Sequence, residues 1–129
     1  MPKKYNSQIL CVSSLIYFFA GTIIFKTNPY LAILLFAVTI FSIMYHHNFK
    51  SFNLKSLDWV FGTILFLYAF YIFKIQFDLY ILIFLLLILG FRLMDHILFK
   101  TKRYGIFSYT HSLWHILSGL LIVSLFTLT

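Results

Sequence analysis

The sequence predicts an all-α, polytopic membrane protein, a helical bundle with about five transmembrane helices. The first observation is composition: 62% of the 129 residues are hydrophobic and 10% are charged. In a soluble domain about half of the residues are apolar and about a quarter are charged. A soluble globule of this size keeps roughly a third of its unfolded surface exposed, which is too much for this apolar content. The second observation is that the apolar residues form runs of about the 20 residues that cross a bilayer.

Five runs define the predicted helices, over residues 9–25, 30–47, 57–73, 79–98 and 106–129. The first ends at Lys26, before the turn signal Thr27-Asn28-Pro29. Lys3 and Lys4 ahead of it resemble the start of a signal peptide. The run is long for a signal peptide and lacks a clean small-x-small cleavage site, so we expect a retained first helix. The connections leave no room for a soluble domain, and we expect residues 1–129 to form one transmembrane domain.

The distribution of positive charge predicts the orientation. With five spans, eight of the ten basic residues fall on the face of the N-terminus: Lys3, Lys4, Lys50, Lys55, Arg92, Lys100, Lys102 and Arg103. Only Lys26 and Lys74 fall on the other face. Because short loops rich in Lys and Arg stay in the cytoplasm, we expect a cytoplasmic N-terminus. The net charge of +7 then reflects topology and attraction to anionic lipid, and no nucleic-acid partner is expected.

Ionisable residues within membrane spans cost free energy and are candidates for function. The chain has five histidines and three acids, and all five histidines and two of the acids are predicted at the cytoplasmic ends of spans. These residues are His46, His47, His96, His111, His115, Asp58 and Asp95. Random placement would scatter them over both faces, so the sequence predicts a single polar layer.

Spacing within this layer predicts a metal site. His111 and His115 are four residues apart and share one helix face, as in helical zinc sites. His46 from another helix would complete a three-histidine Zn²⁺ site with an open fourth position, the arrangement of catalytic zinc. Ser42 shares a helix face with His46, and Asp58 begins the next span, so both are candidate catalytic residues. The prediction requires His46 to lie within about 8 Å of the other two rings, because zinc–nitrogen bonds are about 2 Å long.

Simpler interpretations remain open for several of these residues. His47 and His96 are not expected to bind metal, since an interfacial histidine is often only an amphipathic side chain at the membrane surface. Asp58 would alternatively cap its helix. Arg92 and Asp95, three residues apart, would neutralise each other as a buried pair. Histidines on facing helices are also compatible with haem ligation, although two histidines on one helix suit a single small ion better.

At these residues the sequence resembles the alkaline ceramidases and the wider CREST superfamily of membrane hydrolases. The family pattern is Ser-x-x-x-His in one helix, Asp in the next and His-x-x-x-His in the last, matched here by Ser42, His46, Asp58, His111 and His115. The family core has seven helices, and this chain has room for about five. Loss of a helix pair between the Asp helix and the last helix preserves the direction of the remaining helices. Assembly of two or more copies would provide another way to enclose the missing cavity.

The resemblance implies a zinc-dependent hydrolase that cleaves the amide bond of a ceramide-like membrane lipid through a metal-activated water. His46, His111 and His115 would bind Zn²⁺, Asp58 would transfer protons, and Ser42 would hydrogen-bond the water or the developing oxyanion. The residues alone support only an acyl lipid, a metal and hydrolysis. The alternative is a non-catalytic metal- or haem-binding membrane protein, or a small transporter.

Overall fold

The computed structural model describes residues 5–73 and 79–128, and these residues form five α-helices and no strand. The helices are α1 (Ser7–Ile24), α2 (Pro29–His47), α3 (Phe52–Phe73), α4 (Leu79–Lys100) and α5 (Tyr104–Leu128). All five are long and apolar enough to cross a membrane. The predicted all-α class and helix number are therefore confirmed. The predictions for Lys3, Lys4, Lys74 and Thr129 lie outside the described residues.

Polar caps set the starts of the first three helices. The Asn6 side chain accepts a hydrogen bond from Ile9 N, and Asn28 accepts one from Leu31 N, so each supplies a partner for an N–H group that the helix leaves unpaired. Pro29 occupies the first turn of α2, where its fixed φ and missing N–H are tolerated. These contacts account for the sharp turn that the sequence predicted between the first two helices.

Helix α3 begins earlier than the sequence predicted. Ser51 Oγ accepts a hydrogen bond from Leu54 N at 3.3 Å and starts the helix at Phe52, not at residue 57. The polar residues of the first two turns concealed this start from a search for apolar runs. Asp58 therefore lies inside the helix, and its predicted alternative role as the helix cap is wrong.

A tight turn joins α4 to α5. Arg103 N donates to Leu98 O at 2.9 Å and Lys102 N donates to Phe99 O at 3.1 Å, the hydrogen-bond pair of a Schellman cap. Lys102 has a φ of 59°, so it adopts the left-handed conformation in which glycine is usually found. Because this turn is short, the last turns of α4 lie beside the first turns of α5.

The helices pack as an open ring. Helix α1 packs against α2 and α5, α2 packs against α3, and α4 packs against α5, while α3 only touches α5. Among the described residues, no Cα atom of α3 lies within 8 Å of a Cα atom of α4. The bundle thus has a gap between α3 and α4, which we call the α3/α4 gap. The main apolar core lies on the other side, around Tyr17, Leu35 and Ile122.

Candidate metal centre

Three histidines from two helices meet at one buried point. The ring centroid of His46 on α2 lies 5.1 Å from that of His111 and 5.2 Å from that of His115, both on α5. The two α5 rings are 4.6 Å apart. The sequence-based prediction required His46 to lie within about 8 Å of the other two rings, and this requirement is met. One nitrogen of each ring lies within 4.8 Å of one nitrogen of each of the others, so the three histidines form a group that could hold a metal ion.

The hydroxyl groups of α1 orient His115. Ser13 Oγ lies 2.8 Å and Ser14 Oγ 3.4 Å from His115 Nδ1. Each serine also donates its hydroxyl proton to the carbonyl oxygen of Leu10, at 3.0 and 2.8 Å respectively. If both hydroxyl protons point to Leu10 O, the serines accept from His115 Nδ1–H, because a hydroxyl has one proton. This arrangement is compatible with the neutral tautomer whose lone pair is on Nε2.

His111 is oriented by a carboxylate. Its Nδ1 lies 2.8 Å from Asp95 Oδ2 on α4, and Thr110 Oγ1 donates to the other carboxylate oxygen. Since an ionised carboxylate only accepts, Nδ1 carries the proton and Nε2 is left with its lone pair. A carboxylate that holds the far nitrogen of a histidine is the usual outer partner of a metal ligand, and it raises the basicity of the ring.

His46 contains an unpaired buried nitrogen. Its Nδ1 lies 3.0 Å from the Tyr5 hydroxyl, and its Nε2 is buried with no hydrogen-bond partner. Burial raises the pKa of the Tyr5 phenol, which keeps this partner neutral. An unpaired buried ring nitrogen costs free energy. A metal ion bound at Nε2 would remove that cost, with Nδ1–H donating to the phenol oxygen.

The three rings thus fit a bound transition-metal ion. Each uses Nδ1 in its described hydrogen bonds, and Nε2 takes part in none of them. The three histidines lie among other helices, and each residue is at most 4% exposed. Imidazole nitrogen suits zinc, copper, iron and nickel, and three such ligands with an open position are typical of catalytic zinc.

The two predicted catalytic residues lie on a cavity that reaches the histidines. The cavity has a volume of about 490 Å³, and its lining includes Ser42, Asp58, His111 and His115. The rest of the lining is mostly apolar and comes largely from the facing sides of α3 and α4. Its volume falls in the range of ligand-binding pockets, about 300–1,000 Å³. The cavity lies along the α3/α4 gap.

Ser42 belongs to the hydroxyl network of α1. Its Oγ lies 2.8 Å from Ser14 Oγ, and Ser14 already donates its proton to Leu10 O. In the arrangement in which Ser14 donates to Leu10 O, Ser42 is the donor of this bond, and its oxygen lone pairs are available to accept a further hydrogen bond. Asp58 differs: among the described residues its carboxylate has no hydrogen bond and no ion pair within 4.0 Å. It lines both the main cavity and a smaller one beside it.

The predicted Arg92–Asp95 pair is not formed. Asp95 is turned toward His111 and Thr110, because the short α4–α5 turn places these residues beside it. The guanidinium carbon of Arg92 instead lies 4.1 Å from the ring centroid of Trp59 on α3 and 5.4 Å from that of Trp114 on α5. These are cation–π distances. Arg92 therefore bridges the α3/α4 gap between two indole rings.

His47 and His96 are exposed and lie outside the three-ring cluster, although His96 lines the smaller cavity. The other five residues of the predicted polar layer include the three ring ligands, with Asp95 bonded to His111 and Asp58 on the wall of the same cavity. The layer is therefore formed at one end of the bundle. Its assignment to the cytoplasmic face stays a prediction.

Sequence reasoning missed the outer partners of the histidines, Tyr5, Ser13, Ser14 and Asp95. For Asp95 a signal existed: residues 95 and 111 are nearly equidistant from the turn at Lys102, so a helical hairpin brings them together. The adjacent serines of α1 were also visible as a polar pair in an apolar helix. No pattern in the sequence indicated Tyr5.

Comparison of the chain with models of protein families, with curated proteins and with solved structures found no match.

Proposed function

We propose that this chain is a zinc-dependent membrane hydrolase that cleaves the amide bond of an N-acyl lipid of the ceramide type. One observation carries the proposal: three buried imidazoles, each hydrogen-bonded at Nδ1, place one ring nitrogen each within 4.8 Å of one another beside a mostly apolar cavity. The resemblance to the alkaline ceramidases supplies the ceramide-type substrate. The residues themselves support an acyl lipid and metal-assisted hydrolysis.

A divalent ion held by three neutral imidazoles lowers the pKa of a bound water toward about 7 and polarises a carbonyl group. The chain's own residues supply the remaining functions. Ser42, with oxygen lone pairs free, would accept a hydrogen bond from the attacking water and orient it. Asp58 has no described hydrogen-bond partner, so its carboxylate is available to take a proton from that water and to return it to the leaving amine.

The cavity supports a lipid rather than a soluble substrate. Its apolar walls come largely from α3 and α4, including Leu65, Phe66 and Leu85, and suit an acyl chain. The α3/α4 gap would provide a lateral path from the hydrocarbon region of the membrane, so the acyl chain of the lipid would not have to leave the bilayer. The labile bond would then stop at the level of the histidines, where the polar residues of the site are found.

The ring geometry favours one small ion over haem. Two axial ligands of haem lie on opposite faces of the macrocycle, whereas here three rings surround a single point with centroid separations of 4.6 to 5.2 Å. A haem between any two of these rings would displace the third. A metal with only a structural role remains the competing function, and it predicts metal without hydrolysis.

The test is metal analysis of the purified full chain, followed by incubation with N-acyl lipids and mass spectrometry of released fatty acid. We expect about one zinc per chain, no Soret absorption, and release of fatty acid that stops when a chelator removes the metal. Zinc content should fall on acidification, because all three imidazoles must be neutral to bind. A chain that binds zinc but releases no fatty acid from any N-acyl lipid would contradict the enzyme assignment.

A further inference from the structure

Arg92 forms no close ion pair with an acid in the described structure, although it lines the cavity that reaches the histidines. Among the described residues its guanidinium forms no hydrogen bond and no ion pair within 4.0 Å, and it is half-buried between Trp59 and Trp114. A guanidinium has five N–H donors. A cation in this position normally faces a water-filled cavity or pairs with a counter-charge, and this one lines both cavities.

A second cation lies at the same place. The smaller cavity, of about 50 Å³, is lined by Arg92 from α4 and Lys55 from α3, together with Asp58 and Asp95. Lys55 Nζ lies 5.2 Å from the ring centroid of Phe99, and within the described chain it has no ion pair. A cavity needs about 10–15 Å³ of such volume to hold one water molecule. The smaller cavity therefore has room for several waters or one small anionic group.

With a divalent ion bound, the charges of the site would favour an anion. The carboxylates of Asp58 and Asp95 offset the charges of Lys55 and Arg92, and Asp95 is already bonded to His111. A divalent ion on three neutral imidazoles would therefore give the site excess positive charge. A positive, partly enclosed cleft concentrates ligands of the opposite sign, and a planar guanidinium matches phosphate or carboxylate oxygens.

On these grounds we propose that Lys55 and Arg92 form a headgroup subsite for a phosphate or carboxylate group of the lipid whose acyl chain occupies the main cavity. The inference rests on the proposed function of that cavity and narrows its ligand from ceramide-type N-acyl lipids to those that carry an anionic headgroup. The two cavities share Asp58, Trp59, Arg92 and His111, so one lipid would place its headgroup and its acyl linkage in adjoining spaces.

The chain contains two tryptophans, and both are the rings that contact Arg92. Intrinsic fluorescence therefore reports on this site, and lipids with brominated acyl chains quench it on binding. The zinc-loaded protein in neutral nanodiscs would be titrated with brominated phosphatidic acid and with phosphatidylcholine of the same chains. We expect half-maximal quenching at about tenfold lower mole fraction of the anionic lipid, the size of effect expected for a charge-assisted contact.

Arg92→Gln and Lys55→Gln should each remove most of this preference, and Arg92→Lys should retain part of it. Lys100→Gln is the matched control, since Lys100 is on the same helix as Arg92, is exposed and lines neither cavity. Two independent variants protect the test against a variant that does not fold, which thermal melting identifies. Equal quenching by both lipids in the unmodified protein, or an equal loss in Lys100→Gln, would overturn the subsite.

Two further measurements separate the possible outcomes. Inorganic phosphate that competes as well as phosphatidic acid would assign the subsite to soluble anions and overturn the lipid proposal. Hydrolysis of N-acyl lipids that is equal for neutral and anionic headgroups would refute the subsite and leave the hydrolase standing. A binding preference without hydrolysis would support the subsite and refute the hydrolase.

Discussion

The two sides of this bundle are built differently. In α1, α2 and α5, between 39% and 50% of the most apolar window of each helix is buried inside the protein, against 11% in α3 and 17% in α4. The first group contains the three histidines and the serines that hold His115. The second group contributes Asp58, Arg92 and Asp95 and borders the cavity. The three clustered histidines therefore lie on the tightly packed side and the cavity borders the open side; under the proposed function, the packed side would hold the metal and the open side would provide access and proton transfer.

This division has a physical reason. Metal ligands must be held within a few tenths of an ångström, which requires packed helices and outer hydrogen bonds. A lipid path requires two helices that do not pack against each other over the length of an acyl chain. Asp95 is the exception to the division, because it lies on α4 and holds a ligand from α5.

The largest expected effect is on metal content, and it belongs to the packed side. His46→Ala, His111→Ala or His115→Ala should each remove most of the bound zinc, because two imidazoles bind far more weakly than three. His47→Ala and His96→Ala are the matched controls and should retain about one zinc per chain, measured by elemental analysis. Loss of zinc from His96→Ala would show that the ligand set is wrong.

Asp58 tests the open side. Asp58→Asn should keep the metal and reduce hydrolysis of an N-acyl lipid by about 10²- to 10⁴-fold, the usual contribution of general acid–base catalysis. Turnover and zinc content would be measured on the same preparation. An Asn variant with undiminished turnover would assign Asp58 a structural role instead.

Asp95 tests the exception. Asp95→Asn should weaken zinc affinity by about 10- to 100-fold, as expected for an outer partner of a metal ligand, because the amide no longer holds His111 Nδ1–H with a charge. Competition with a chelator of known affinity gives the value. Thr110→Val, which removes only the other hydrogen bond of the carboxylate, should have a smaller effect. Unchanged affinity in Asp95→Asn would show that Asp95 does not tune metal binding through His111.

Two glycines inside helices allow the packing of the two sides of the bundle to be compared by substitution. A Cβ at Gly119 on α5 would lie 2.6 Å from Ile16 Cγ1 on α1, whereas a Cβ at Gly90 on α4 meets nothing within 4 Å. Gly119→Ala should therefore destabilise the protein by about 1–3 kcal/mol through overpacking. Gly90→Ala should be neutral or slightly stabilising, since alanine favours helix. Thermal melting in detergent measures both, and equal melting temperatures would contradict the proposed difference in packing.

Much of the architecture could be predicted because membrane spans follow from apolar length, and the meeting of His46 with His111 followed from helix direction. The residues that hydrogen-bond the three histidines were harder to predict from the sequence. Asp95 has two candidate partners, Arg92 on its own helix and His111 across the turn, and local spacing favoured the wrong one. Tyr5 reaches His46 only through the packing of α1 on α2, which no local pattern encodes. The start of α3 was misplaced because polar residues near the membrane surface interrupt the apolar run.

The α3/α4 gap has a consequence for kinetics. Under the proposed function, a lipid substrate would reach the histidines through this gap from within the bilayer, so its effective concentration would be its mole fraction in the leaflet. Diluting the membrane with inert lipid would then lower the rate, whereas diluting the vesicles in buffer would not. The released fatty acid would leave by the same route and accumulate in the leaflet. Its fraction among the surrounding lipids, not its aqueous concentration, sets the inhibition by product.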